Sequence, residues 1–245
     1  MKQFGLIGLP LGHSFSKKYF SSKFETEHID AQYDLYELKT ISEFLTLKEK
    51  PLLCGLNVTI PYKQQIIPLL DELDETAAEI GAVNVIKFIR HDGGLRLKGY
   101  NSDAIGFENS IGPLLKDCHK KALVLGTGGA SKAIDYTLRK LGITTTFVSR
   151  TVKDGVLTYN QLTNDVMAEY LVIVNASPVG TFPHVNECPD IPYQFLGSDH
   201  LLFDAVYNPP LTLFLQKGQE QGAQVLNGEG MLIGQAQAAW KIWGE

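Results

Sequence analysis

Short apolar runs alternate with stretches of helical spacing along the whole chain, which predicts an α/β architecture with largely parallel sheets. A first strand is expected over 2–8, then a loop and a helix over about 16–28. Strands follow at 33–38 and 55–59, and Pro61 suits the first position of a helix after the latter. Residues 84–90 and 95–100 flank Asp92-Gly93-Gly94, a hairpin signal because Asp and Gly tolerate the positive φ of such turns. A second series begins near Lys121. It has strands at 122–125, 144–148, 171–174, 201–204 and 224–226, and a helix after the first strand that ends near Gly142. The closing stretch, 230–243, repeats apolar residues at Leu232, Ile233, Ala236, Ala239 and Trp240, as a helix does. A boundary is expected near Ser102 and Asp103. Spacing alone leaves open which half the closing helix joins.

The chain has 245 residues, enough for one large domain or two modest ones. Hydrophobic residues make up 44% and charged residues 20%, the balance of a soluble globular protein. A net charge of -5 gives no general attraction to nucleic acid or an anionic membrane. Cys54, Cys118 and Cys188 are far apart and form no CxxC pair, so neither a disulfide framework nor a metal site is expected. The N-terminal apolar run is too short for a signal peptide, and no run reaches membrane-span length. A cytoplasmic location is the expectation.

Two groups of residues carry chemistry. Gly126-Thr127-Gly128-Gly129-Ala130-Ser131 follows a strand and opens a helix, the context of a dinucleotide-binding turn. Glycines let the backbone approach a pyrophosphate, and the helix start offers free N–H groups to it. Ser131 stands where a third glycine is usual. The next strand ends in Ser149-Arg150-Thr151, with Lys153 close behind. An acid there would serve NAD, whereas Arg150 pairs with a 2′-phosphate, so NADP is the expected cofactor.

The other group comprises three polar segments at strand ends in the first half. They are Gly8-Leu9-Pro10-Leu11-Gly12-His13-Ser14-Phe15-Ser16, Asn57-Val58-Thr59-Ile60-Pro61-Tyr62-Lys63, and Gly81-Ala82-Val83-Asn84 with Asn101-Ser102-Asp103. Each has an ordinary structural reading: a helix cap for Ser14, Ser16 or Asp103, a solvated helix position for Lys63, a satisfied turn for Asn84. Together, a lysine, a carboxylate, asparagines and hydroxyls suit a polyhydroxylated small acid, with Lys63 and Asp103 able to pass a proton while a hydride moves.

The order GLPLGHSFS, NVTIPYK, GAVN, NSD, GTGGAS, SRT, NASPVG, YNPPLT and NGEGMLIGQA resembles the shikimate dehydrogenase family over nearly the whole chain. The resemblance implies a substrate and catalytic α/β domain, 1–102 plus 230–245, completed by the C-terminal helix, and a Rossmann-type NADP-binding domain, 103–229. It implies reversible reduction of 3-dehydroshikimate to shikimate, in aromatic amino acid (chorismate) biosynthesis, by a monomer or homodimer. Ser14 and Ser16 would hold the substrate carboxylate. Lys63 would be the acid/base with Asp103 beside it, and Thr59, Asn84, Asp103, Tyr207 and Gln235 would contact ring hydroxyls or close the site. Gly126 to Ala130 would bind the pyrophosphate, and Ser149, Arg150, Thr151 and Lys153 would surround the ribose phosphate. Ala205 and Gly228 would line the nicotinamide. Departures from the family pattern are Lys17 and Tyr19-Phe20 after the second serine, Ser102 for threonine, and Ser149 for asparagine. The rival readings are a quinate or quinate/shikimate dehydrogenase of the same fold and a non-catalytic NADP-binding sensor.

Overall fold

The computed structural model describes residues 1–12 and 14–244. The chain divides into two compact units, Met1–Ser102 with Ala236–Glu245, and Asp103–Gln235. The division therefore runs through the closing helix, at 235/236.

The first unit contains β1 (Lys2–Gly8), α1 (Phe15–Thr26), β2 (Ala31–Glu37), α2 (Phe44–Leu47), β3 (Leu53–Val58), β4 (Glu72–Leu73), α3 (Glu75–Ile80), β5 (Val85–His91) and β6 (Gly94–Tyr100). Its sheet has the order β2-β1-β3-β5-β6-β4. β1 runs parallel to β2 and β3, but β5 is antiparallel to both β3 and β6. The expected largely parallel sheet is thus a mixed one here. β5 and β6 are joined by a tight turn, which can connect only antiparallel neighbours; a parallel pair needs a crossover. Both faces are covered. Phe4, Leu6 and Val85 enter one core with Phe20, Phe24 and Trp243, while Ile7 and Ile86 enter another with Phe44, Leu53 and Leu56. Consecutive strand residues point to opposite faces, so strands buried on both sides read as unbroken apolar runs.

The helix expected after β3 is corrected, and the expected hairpin is present between β5 and β6. Pro61 does not open a helix: residues 60–66 form turns that lead into a short 3-10 segment, Ile67–Leu69. The carbonyl of Lys63 is taken by the Val83 N–H at 2.8 Å, which removes it from any helical ladder. In the hairpin, positive φ falls on Gly94 (+124°) and not on Asp92.

The second unit contains α4 (Ser102–Ile111, whose first residue closes the first unit), β7 (Lys121–Leu125), α5 (Gly129–Lys140), β8 (Thr144–Ser149), β9 (Leu157–Thr158), α6 (Asn164–Glu169), β10 (Val172–Asn175), β11 (Leu201–Asp204), α7 (Leu213–Glu220), β12 (Gln224–Leu226) and the start of α8 (Glu229–Gly244). All pairings in its sheet are parallel, in the order β12-β11-β10-β7-β8-β9. Counted from β7, this is the doubly wound order 3-2-1-4-5-6, so the unit is Rossmann-type and its topological switch point lies between β7 and β10. Alternate residues of β7 again serve two cores, Ala122 and Val124 on one face and Leu123 and Leu125 on the other. Among the described residues no helix is long and apolar enough to cross a membrane.

Candidate active site

In the first unit the polar segments gather at the carboxyl ends of β1 and β3. The Thr59 N–H donates to the Ile7 carbonyl at 2.9 Å, and the Leu9 N–H to Ile60 at 3.0 Å. Gly8 permits this approach, since a Cβ there would stand 2.4 Å from the Thr59 methyl. The Glu37 carboxylate accepts from the Leu11 N–H at 2.6 Å and fixes the next loop. Ser14 caps α1, its hydroxyl accepting from the Lys17 N–H at 3.3 Å. Ser16 lies in the first turn of α1 and is half-buried. Thr59 and Lys63 are half-buried. His13 belongs to the first polar segment but lies outside the described residues.

Asn84 is the hub of this cluster and is almost fully buried. Its side-chain oxygen accepts from the Ser102 N–H at 2.7 Å, and its amide donates to the Ser102 hydroxyl at 3.0 Å. Its carbonyl accepts from the Val58 N–H at 2.8 Å and from the Asn57 amide at 3.3 Å. The Tyr33 hydroxyl donates to Asn57 Oδ1 at 2.7 Å. Asn101 donates to the Ala82 carbonyl at 2.9 Å. This network holds Ser102, the residue before Asp103, against Asn84. Tyr33 was not singled out from the sequence, and Asn57 was named only as the first residue of a polar segment, with no role of its own. Tyr33 reads as one more core aromatic of its strand, and Asn57 differs from its apolar neighbours only in being a polar residue inside a buried run.

In the second unit, Gly126 takes φ +117°, a conformation in which L residues are strained, and its N–H bonds the Val148 carbonyl at 2.9 Å. Thr127 and Gly128 are exposed, and the space beside Gly128 is open. Gly129 and Ala130 begin α5. Ser131 is buried, and its hydroxyl accepts from the Gly128 N–H at 3.2 Å. The residue in place of the third glycine therefore closes the turn itself. A Cβ on Gly126 would stand 3.4 Å from the backbone of Ala176 and Ser177, across the switch point. Such a cradle of exposed glycine backbone at a helix start fits a pyrophosphate.

At the end of β8, the Ser149 hydroxyl accepts from the Thr151 N–H at 3.1 Å. Arg150, Thr151 and Lys153 are exposed, and Lys153 forms a bridge with Val156 that folds the loop back. Burial pushes the Tyr159 phenol up, with the Arg150 charge opposing it. Gly228 packs on Ala205, where a Cβ would come within 2.3 Å of the Ala205 carbonyl oxygen. Beneath Ala205 lies Asp204, fully buried. Its carboxylate accepts from the Thr212 hydroxyl at 2.6 Å, the Asn175 amide at 2.9 Å and the Val206 N–H at 3.0 Å. Burial raises its pKa to about 6, and these donors oppose the rise. Sequence reasoning missed Asp204 as a site support. The available signal was an acid ending an otherwise apolar strand.

Asp103 is buried in the first turn of α4. Gly106, one turn on, lies against the α8 backbone: a Cβ would meet Gln235 N at 2.8 Å and Met231 O at 2.4 Å. This close crossing sets Asp103 and Gln235 on helices in direct contact. Gln235 is buried and donates to the Leu232 carbonyl at 3.0 Å. Tyr207 sits in an exposed loop after β11. Among the described residues no cluster of His, Cys, Asp or Glu is arranged to hold a metal ion.

Comparison with known proteins agrees with this geometry. Residues 6–86 match the family model of the shikimate dehydrogenase substrate binding domain. The shikimate dehydrogenase (NADP(+)) of Methanosphaera stadtmanae is 36% identical over 98% of this chain and 90% of its own length. The crystal structure of shikimate dehydrogenase from Aquifex aeolicus superposes with a TM-score of 0.86 at 34% identity, over 99% of this chain and 92% of that one. Shikimate 5-dehydrogenase from Thermus thermophilus, in complex with NADP(H) and shikimate, gives 0.85 at 28% identity, over 99% and 93%. With relatives above 30% identity aligned along almost its entire length, the chain belongs to the shikimate dehydrogenase family.

Proposed function

We propose that the protein catalyses the reversible NADP-dependent reduction of 3-dehydroshikimate to shikimate, with Lys63 and Asp103 as its catalytic pair. The observation that supports this reading is the buried Asn84–Ser102 pair, which gathers the polar strand ends of the first unit at the residue preceding Asp103. When bound, NADPH supplies the hydride. The residues of this chain do the rest. Lys63 gives a proton to the C3 oxygen as that oxygen gains charge, and takes it back in the reverse direction. Asp103 hydrogen-bonds the adjacent hydroxyl and orients Lys63. General acid–base assistance of this kind contributes roughly 10²–10⁴-fold in rate.

Ser14 and Ser16 hold the carboxylate with neutral hydroxyls, and Thr59, Asn84, Tyr207 and Gln235 recognise the ring. The turn Gly126–Ala130 with Ser131 takes the pyrophosphate. Ser149, Arg150, Thr151 and Lys153 take the 2′-phosphate, and Ala205 and Gly228 take the nicotinamide. In this reading the first unit is the substrate domain and the second the NADP domain, in a cytoplasmic enzyme acting as monomer or homodimer.

A spectrophotometric assay of shikimate and quinate, each with NADP and NAD, tests the assignment. Turnover should be highest with shikimate and NADP. Equal turnover of quinate with NAD would move the protein to the quinate branch. Binding of NADPH without turnover of any substrate would make it a sensor.

A further inference from the structure

β10 ends at Asn175 and β11 at Asp204, and the two are partners in register. Asn175 is also level with Leu125, the last residue before Gly126. In the strand order, β8 lies on one side of β7, and β10 with β11 on the other. A dinucleotide lies across the switch point of such a sheet, with its pyrophosphate at the first turn. With the 2′-phosphate proposed for Arg150 at the end of β8, the nicotinamide half falls over the ends of β10 and β11.

The Asp204 carboxylate is fully buried there and fastens the two loops that leave those ends. Oδ1 accepts from the Asn175 amide at 2.9 Å and from the Val206 N–H at 3.0 Å, and Oδ2 accepts from the Thr212 hydroxyl at 2.6 Å. Asn175 carries the tie into the loop after β10. Its amide also donates to the Val179 carbonyl at 3.3 Å, and its side-chain oxygen accepts from the Ser177 hydroxyl at 2.7 Å. Val206 carries it to Gly228, whose N–H donates to the Val206 carbonyl at 3.1 Å. Thr212 ends the loop after β11 by capping α7, its oxygen accepting from the Leu215 N–H at 3.4 Å.

All three donors to Asp204 are neutral. Burial raises the acid's pKa to about 6 in spite of them, so at neutral pH the ionised form is held at a cost in stability. Asparagine has nearly the same shape, but it would set an N–H against one of the donors. Three converging donors need a group that only accepts, and a carboxylate is one.

We propose that Asp204 is a positioning residue of the cofactor site: its carboxylate locks the loops after β10 and β11 together and so holds Ala205 and Gly228 as the wall that receives the nicotinamide. This rests on the reading that Ala205 and Gly228 meet the nicotinamide, and the test separates the two. The ligands are NADPH and adenosine 2′,5′-bisphosphate, which carries the adenosine end and no nicotinamide. Each is titrated calorimetrically into the native chain, Asp204→Asn and Gly228→Ala, at about pH 8, where Asp204 is ionised. Asp204→Asn should raise the Kd for NADPH about tenfold, the effect of one buried donor left without its acceptor, and leave that for the bisphosphate nearly unchanged. A merely structural role would weaken both ligands alike; that result, or no change in either, overturns the proposal. Gly228→Ala pushes on Ala205 directly, where the new Cβ would come within 2.3 Å of the Ala205 carbonyl oxygen, and should show the same split. If Gly228→Ala binds NADPH as the native chain does, the nicotinamide reading fails and takes the inference with it. If Gly228→Ala shows the split and Asp204→Asn does not, only the role of Asp204 is overturned.

Should Asp204→Asn fold poorly, Thr212→Val and Thr212→Ser take its place. Valine removes the hydroxyl that Asp204 accepts from, and serine keeps it. Thr212→Val should weaken NADPH about fivefold and spare the bisphosphate, and Thr212→Ser should restore NADPH binding. Equal NADPH affinity in the two variants overturns the proposal.

Discussion

Around Asn84 the first unit arranges neutral side chains, Tyr33, Asn57, Asn101 and Ser102, through hydrogen bonds to one another, to Asn84 and to backbone carbonyls of the loop before β5. Around Gly126 the second unit uses bare backbone: glycines in contact with neighbouring main chain, a hydroxyl that closes the turn, and one buried carboxylate beneath. The difference suits the ligands. A pyrophosphate is large and charged and can be met by N–H groups at a helix start, which need nothing in front of them. A ring bearing several hydroxyls must be told from near isomers. That takes donors and acceptors in fixed places, and buried amides with every partner satisfied supply them. Among the described residues, no buried side-chain polar atom lacks a partner.

Lys63 brings a charge to the neutral frame, and its removal should have the largest effect. Lys63→Met keeps the length of the stem and loses the ammonium. The expected outcome is a fall in kcat of about a hundredfold or more, with the Kd for NADPH and the Tm almost unchanged. Near-normal kcat in a stopped-flow or steady-state assay would reduce Lys63 to a positioning group. It would also leave the first unit with no chemistry of its own.

The buried carboxylate of the second unit gives the next effect. The pKa of Asp204 is raised from 3.8 to about 6, so between those values the folded state binds the extra proton. A raised acid pKa means that this group's contribution to stability grows as pH falls through 6 and levels off below 4. The full swing is about 3 kcal/mol. In the first unit Glu72 behaves oppositely. Its hydrogen bond to Lys98 holds the carboxyl below its usual range, so its contribution is lost as pH falls. Asp204→Asn isolates the first of these. The stability difference between the native chain and the variant, from denaturant unfolding or amide exchange in β10 and β11, should move in favour of the native chain from pH 7 to pH 4. A flat difference would show that Asp204 does not titrate in this window.

How far the two regions can be read from sequence follows from the same contrast. The turn after β7 is legible because backbone binding needs glycine at particular positions, and glycine is visible. β11 and β12 fall at the expected positions because continuous apolar runs bounded by polar residues have few other uses. The Asn57–Asn84–Ser102 network is only half legible. Its members appear as polar residues near strand ends, but their pairings join residues 18 and 27 positions apart, which no local pattern records. The mixed sheet is hidden for a similar reason, since β5 carries the same apolar run whichever way its neighbours point. Short elements such as α2, α3 and α6 span four to six residues, too few for a helical period to stand out.

Arg150 gives a smaller effect, on cofactor choice rather than on chemistry. It is exposed at the end of β8, where a pairing with a 2′-phosphate would be partly screened. Arg150→Ala should raise the KM for NADP about tenfold and leave the KM for NAD nearly unchanged. Equal losses with both cofactors would place Arg150 against the adenine or the turn instead, and would remove the charge contrast between the two units.

Ser14 should give the smallest effect and the sharpest test of whether one hydroxyl can serve fold and site together. Its oxygen already accepts from the Lys17 N–H as the cap of α1. Accepting there leaves its hydrogen free to be donated, so capping and carboxylate binding do not compete. Ser14→Ala should therefore lose both functions, with about 1 kcal/mol of stability gone with the cap and the KM for shikimate raised about fivefold. Ser14→Asp separates them. Aspartate caps as well as serine does, so Tm should return to the native value. It offers no donor and brings a negative charge toward the substrate carboxylate, so KM should rise beyond that of Ser14→Ala. A Ser14→Asp variant with native Tm and native KM would leave Ser14 as a cap alone and assign the carboxylate to other donors of the first loop.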